Sequence, residues 1–177
     1  MHRFGWGVAL LLALGNAWAG TAPQVGDPAP TALGQGRKGE AVDLAAYRGK
    51  VVVVTFWASW CGPCRRELPV LDALQKQAGE DWLRIIAVNV QDTPDDYRAM
   101  QRQMRDFSLV QSRDRDGAIS AAYDIHAFPN LWIIDPQGRV GSHHVGYGEG
   151  STEGIIEEIK RIVTNEIARQ QASAPAG

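Results

Sequence analysis

Cys61 and Cys64 are the only two cysteines in the 177-residue chain, and they stand in the stretch FWASWCGPCRREL, separated by Gly62 and Pro63. Three kinds of chemistry use such a pair. As a structural staple it gains little, because a disulfide stabilises mainly by closing a long loop and this one encloses two residues. A zinc site needs about four ligands, as two such pairs or as one pair with two well-spaced histidines. His126, His143 and His144 lie far downstream without that spacing. A dithiol that exchanges with other disulfides needs only the pair, a lowered thiol pKa and access. The redox reading is therefore favoured.

The elements around the pair point the same way. Val51 to Trp57, VVVVTFW, is a continuous β-branched and aromatic run, the pattern of a central strand buried on both faces. From Cys64 onward, Leu68, Leu71 and Leu74 recur at helical spacing. The cysteines thus fall where a strand ends and a helix begins. Free N–H groups and partial positive charge at a helix start stabilise a thiolate. Cys61 is expected to be the exposed nucleophile, with Cys64, one turn into the helix and turned toward the sheet, resolving the mixed disulfide.

FWASWCGPC resembles the active site of the thioredoxin superfamily, and the following Glu67, Leu68 and Pro69 narrow the resemblance to the exported TlpA-like or ResA-like thiol-disulfide oxidoreductases. The likeness runs from about Pro28 to about Ile167. A bare C-x-x-C is weak, but a tryptophan before it, Gly-Pro within it and the later block YDIHAFPNLWIIDPQGRV together are specific. The resemblance implies a redox disulfide between Cys61 and Cys64, with no cofactor and no metal. It also implies a cis bond before Pro129 and a substrate groove made by Trp60, Gly62, Pro63, Phe128 and Pro129. Phe128 would offer its backbone to an extended substrate segment, a form of strand addition. Phe128 and Asn130 depart from the family, which more often has a small or β-branched residue and a threonine there; both departures bear on the shape of the groove. Cytosolic thioredoxins carry a buried aspartate where this chain has Thr55, so Glu67 becomes the candidate proton acceptor, with burial expected to raise its pKa. His126, three residues before Pro129, is read as a solvated loop histidine, the one histidine with any claim to a proton relay.

The expected architecture is α/β: a thioredoxin-like fold with a central mixed sheet flanked by helices, an N-terminal hairpin, and an inserted helix plus strand. Trp82 to Val90 reads as a second buried strand, parallel to the first through a right-handed crossover. Leu131 to Asp135 and Arg139 to Tyr147 read as antiparallel strands joined at Pro136, Gln137 and Gly138. A last helix starts from a Ser151 or Thr152 cap and presents Ile155, Ile159, Ile162 and Val163 to the sheet. Between them, Thr93 to Gly117 is long for an unstructured loop. Thr93 as cap, Pro94, and the stripe Tyr97, Met100 and Met104 predict a helix, followed by FSLV as a strand; the two methionines are read as core.

At this length, with 45% hydrophobic residues, one core and one domain are expected. A net charge of −2 and a pI near 6.1 give no support for nucleic-acid binding. Residues 1–19 have a short basic start, an apolar run too short to span a membrane and a small-residue cleavage site, and read as an export signal. An uncleaved signal would instead anchor the chain. Residues 20–30 read as a linker, 31–169 as the domain and 170–177 as a flexible tail. No membrane span is expected once the signal is removed, and the location is read as periplasmic. The Gly62-Pro63 dipeptide is that of reducing thioredoxins. A reductant there implies a membrane thiol-reductase as electron donor and oxidised exported proteins as substrates, such as apocytochrome c or copper-site cysteines. The rivals are an oxidase or isomerase, a thiol peroxidase and a thiol-based metal chaperone. For the last, His143 and His144 are the paired candidates, and as strand neighbours they point to opposite faces.

Overall fold

The computed structural model describes residues 22–146 and 151–173; the segment read as an export signal, residues 147–150 and the last four residues lie outside that range. Its centre is Val51–Trp57, β3, buried at every position. Alternation divides this strand between two cores: Val51, Val53 and Trp57 face one, and Val52, Val54 and Phe56 the other. Thr55 therefore shares the face of Val53 and Trp57. That parity decides its role in the site.

Seven strands form one sheet. In chain order β1 is Ala32–Gly36, β2 is Ala41–Asp43, β4 is Leu83–Asn89, β5 is Val110–Arg113, β6 is Asn130–Ile134 and β7 is Val140–Val145. They lie in the order β2-β1-β5-β4-β3-β6-β7. β3, β4 and β5 run parallel, and β6 pairs antiparallel with β3. The expected mixed sheet, hairpin and crossover are all present. One face carries α1 (Gly62–Ala78), α2 (Pro94–Gln103) and α4 (Ser151–Ser173). Leu68, Leu71 and Leu74 of α1, Tyr97 and Met100 of α2, and Ile155, Ile159 and Val163 of α4 fill this core. The other face is covered by the 3-10 turn Leu44–Tyr47 and by α3 (Ala118–Ala122), with Tyr123 fully buried between Phe56 and Trp132.

The inserted helix matches its sequence signals. Thr93 caps it, its hydroxyl accepting from the Asp96 N–H, and Pro94 occupies the first turn. Met100 and Met104 are buried in the core. The inserted strand is displaced from FSLV and begins at its last residue, Val110. Asp72 of α1 explains the shift: it accepts from the N–H and hydroxyl of Ser108 at 2.6 and 3.0 Å, tying this segment to α1 before pairing with β4 begins.

Backbone contacts and helix continue into the segments read as linker and tail. Residues 26–29 lie along β7, with Gly26 and Val140 and then Val140 and Asp27 exchanging backbone bonds of 2.8 and 2.9 Å. An otherwise open sheet edge is covered in this way. α4 continues to Ser173, and Gln170 donates to the Gly49 carbonyl and to Glu166. At the turn before β7, Gly138 adopts φ +76 and donates to the Asp135 carbonyl, a conformation that favours glycine.

Candidate active site

α1 begins at the pair itself. Cys61 is its N-cap, with extended backbone, and its Sγ accepts the Cys64 N–H at 3.2 Å. Pro63 sits in the first turn, where a missing N–H costs nothing. Cys61 and Cys64 are joined as a disulfide, their Cα atoms 5.3 Å apart. Cys64 is fully buried and Cys61 is 5% exposed, so access to the pair is only through Cys61. This opening is narrower than the exposed nucleophile read from the sequence, because the fold packs both sulfurs against the core below Trp57 and Ala58. On reduction, a Cys61 thiolate would sit against an N–H donor and the positive end of the helix.

Glu67 lies three residues beyond Cys64, one turn along the same buried face, where side chains are about 5–6 Å apart at Cβ. It is 4% exposed. Its carboxylate accepts a hydrogen bond from Thr55 Oγ1 at 2.9 Å, supplied by the face of β3 that α1 covers. Burial pushes the carboxyl from its ordinary 4.5 up to about 7, with the Thr55 bond opposing. A carboxyl raised this far is half protonated near neutral pH.

The groove lies across from Cys61. The Phe128–Pro129 bond is cis and Pro129 is buried. Trp60 is 62% exposed and meets Phe128 edge to face at 5.7 Å. Pro129 gives its carbonyl to the Gly146 N–H, while the backbone N–H and C=O of Phe128 have no partner among the described residues. Those two groups are free to receive an extended chain. On the α2 side a cleft of about 390 Å³ runs past Gly62, Arg65, Leu68, Pro69, Met104 and Phe107.

Other candidates fall away from the sulfurs. His126 is exposed on its loop and bonds Asp124 at 2.7 Å. His143 stacks on Trp132 at 3.7 Å and bonds Asn130 Oδ1, which accounts for the burial of Asn130, while His144 meets Glu158 of α4. The two imidazoles diverge across the sheet. Among the described residues no group of three or more histidine, cysteine or carboxylate side chains is arranged to hold a metal ion.

Sequence reasoning missed Asp92. Gln91 turns the chain with φ +62, and the buried Asp92 carboxylate then accepts from the Ser59 N–H at 3.0 and 3.1 Å, the Ser59 hydroxyl at 2.9 Å and Asn89 Nδ2 at 2.7 Å. It fixes the loop that delivers Cys61. An aspartate just after a buried strand looks like an ordinary turn residue in sequence; only the parallel pairing of β3 and β4 brings it to Ser59.

A mixed sheet with a dithiol at the start of its central helix, opposite a cis-proline loop, defines the class: a dithiol-disulfide oxidoreductase on a thioredoxin-like fold. The chain belongs to the AhpC/TSA family, whose sequence profile matches residues 25–143. It is 33% identical to the thioredoxin-like protein YneN of Bacillus subtilis over 129 residues, 70% of this chain and 72% of that one. It is 30% identical to the thiol-disulfide oxidoreductase ResA of the same organism over 139 residues, 78% and 75% of the two chains. A DsbE-type thiol:disulfide interchange protein from Chlorobium tepidum superposes with a TM-score of 0.74 at 29% identity, covering 80% of this chain and 99% of its own. The protein is a thiol-disulfide oxidoreductase, and its substrates are disulfide-bonded or dithiol-bearing proteins.

Proposed function

We propose that the protein is a periplasmic reductant of disulfides in exported proteins. The Cys61 thiolate attacks one sulfur of a substrate disulfide, forming a mixed disulfide and releasing the other sulfur as thiolate. Cys64 then attacks Cys61 Sγ, which frees the second substrate sulfur; two electrons pass to the substrate and the Cys61–Cys64 disulfide forms. Glu67 takes the proton that Cys64 loses. Trp60, Gly62, Pro63 and Pro129 shape the contact around the sulfur, and the open backbone of Phe128 holds the substrate strand.

The observation that carries this reading is Gly62-Pro63 between the two cysteines at the helix start, with Cys61 Sγ on the Cys64 N–H. That dipeptide belongs to thioredoxins, near about −270 mV, and not to strong oxidants near about −120 mV. The thiol-disulfide oxidoreductase ResA and the thiol:disulfide interchange protein DsbE support the same chemistry; apocytochrome c or copper-site cysteines are the proposed substrates. A reductant outside the cytoplasm needs renewal, so a membrane thiol-reductase is the proposed donor. Residues 1–19 are proposed as the signal that carries it there; amino-terminal sequencing of the secreted form should begin at Gly20.

The test is the equilibrium potential of the pair against glutathione or dithiothreitol. A value at or below about −220 mV is expected, each ~30 mV being tenfold in the exchange constant. Above about −150 mV the protein would be an oxidase or isomerase, with both cysteine roles unchanged.

A further inference from the structure

The inserted unit builds a second polar site on the same end of the sheet. Trp57, Asn89 and Arg113 stand in one row across β3, β4 and β5, and Gln35 of β1 continues it. At about 4.8 Å per strand, Arg113 is roughly 10 Å from Trp57, the last residue of the strand leading to Cys61. Beyond it opens a pocket of about 220 Å³ whose charged lining residues are Arg37, Arg98, Arg113 and Arg115. None of the lining residues is a carboxylate. Arg98 pairs with exposed Asp95, and Arg113 reaches the Asp92 carbonyl while lying over the Tyr97 ring. Neither Arg37 nor Arg115 has an ion-pair partner among the described residues. Two acids stand near: the Glu40 carboxylate lies against the lining residue Gly36 and accepts from the Lys38 N–H, and Asp114 accepts from the Ser120 N–H and hydroxyl.

Tyr97 forms the floor. The residue is 7% exposed, and its hydroxyl is buried with no hydrogen-bond partner of good geometry. Gln101 is its polar neighbour, and Arg113, Arg37 and Glu40 are the charges that act on it, so the hydroxyl lies at the arginine end. Burial raises its pKa, with Gln101 and the arginines opposing, so it remains a donor at neutral pH. The hydroxyl has almost no surface open to the pocket, so it belongs to the floor and is not a contact for a ligand.

We infer that Arg37, Arg98, Arg113 and Arg115 form a binding site for a single oxyanion group. The volume is below the roughly 300–1,000 Å³ of pockets that take drug-sized ligands, and four guanidinium groups suit a carboxylate or phosphate. The group is either a carboxylate of the protein substrate bound at Cys61 or a free inorganic anion. The inference does not depend on the direction of electron flow.

Inorganic phosphate is the first probe, titrated at constant ionic strength into the full-length protein while its melting temperature and calorimetric Kd are followed. A saturable rise in melting temperature is expected. Arg37→Gln/Arg115→Gln, which alters exposed side chains, should weaken binding at least tenfold. Tyr97→Phe removes a hydroxyl that a bound anion does not reach and should leave the affinity unchanged. The second probe is a pair of disulfide-bonded peptides with either glutamates or glutamines beside the cysteines. A lower KM for the glutamate peptide, lost in the double arginine variant, assigns the site to a substrate carboxylate. Phosphate binding without that preference assigns it to a free anion. No saturable phosphate effect and equal KM values in the parent overturn the site, as does phosphate binding that the double arginine variant retains.

Discussion

Cys61 and Cys64 differ in chemistry because of one helical turn. Cys61 retains some exposure and accepts a backbone N–H, whereas Cys64 is fully buried. Cys61→Ser should therefore abolish disulfide reduction, and Cys64→Ser should accumulate a mixed disulfide through Cys61, visible by mass spectrometry. Faster alkylation of Cys64 than of Cys61 in the reduced protein would reverse the assignment. Glu67 is proposed to take the proton in the second step. A carboxyl titrating near 7 predicts an inflection near that pH in the rate of resolution, with faster reaction on the alkaline side. Glu67→Gln should flatten it. Thr55→Val should move it upward, since the lost bond had favoured the carboxylate. Coincident profiles in all three proteins would make Glu67 a bystander.

At the scale of elements, α1 is held by contacts that neither its leucine stripe nor its capping reveals. Gln75 Oε1 accepts the Ile85 N–H of β4 at 2.6 Å, and Gln75 Nε2 donates to Ser108. Asp72 joins the same group by accepting from Ser108 and from Lys76 at 2.7 Å. The redox helix and the insert are thus one unit. Asp72→Ala leaves the Ser108 N–H and hydroxyl without their acceptor and should destabilise the fold by about 3 kcal/mol. In urea this appears as a lower midpoint at unchanged slope, with faster amide exchange at Ser108 and Leu109. A loss under about 0.5 kcal/mol would show that water replaces the carboxylate without cost. The FSLV strand was misplaced in sequence for the same reason: an apolar run marks burial, but a side chain 36 positions away decides which of its N–H groups enter the ladder.

For the whole molecule, Glu67 sets a pH dependence of stability. Below about pH 4.5 it is protonated in both folded and unfolded chains and has no effect. Between about 4.5 and 7 the unfolded chain releases a proton that the folded one keeps, so stability falls as pH rises, and above about 7 the loss is complete. Its size is up to about 3 kcal/mol. Glu67→Gln should lack this slope and exceed the parent in stability at pH 8, as chemical denaturation across pH 5 to 8 would show. Parallel curves would mean that the folded and unfolded carboxyls titrate alike.

Composition, period and motif were enough to place the Cys61–Cys64 pair between a buried strand and a helix, to set the order of elements, and to single out Glu67 and Pro129. These are local properties: strand alternation, helical spacing and turn chemistry act over a few residues, and the motif supplies the fold that joins them. Tertiary structure alone decided that Thr55 donates to Glu67, that Asp92 clamps Ser59, that β5 begins at Val110 and that four arginines line one pocket with Tyr97. Each of these depends on which strands are neighbours and in what register. That is a long-range choice set by the packing of two cores, and no short window of residues contains it.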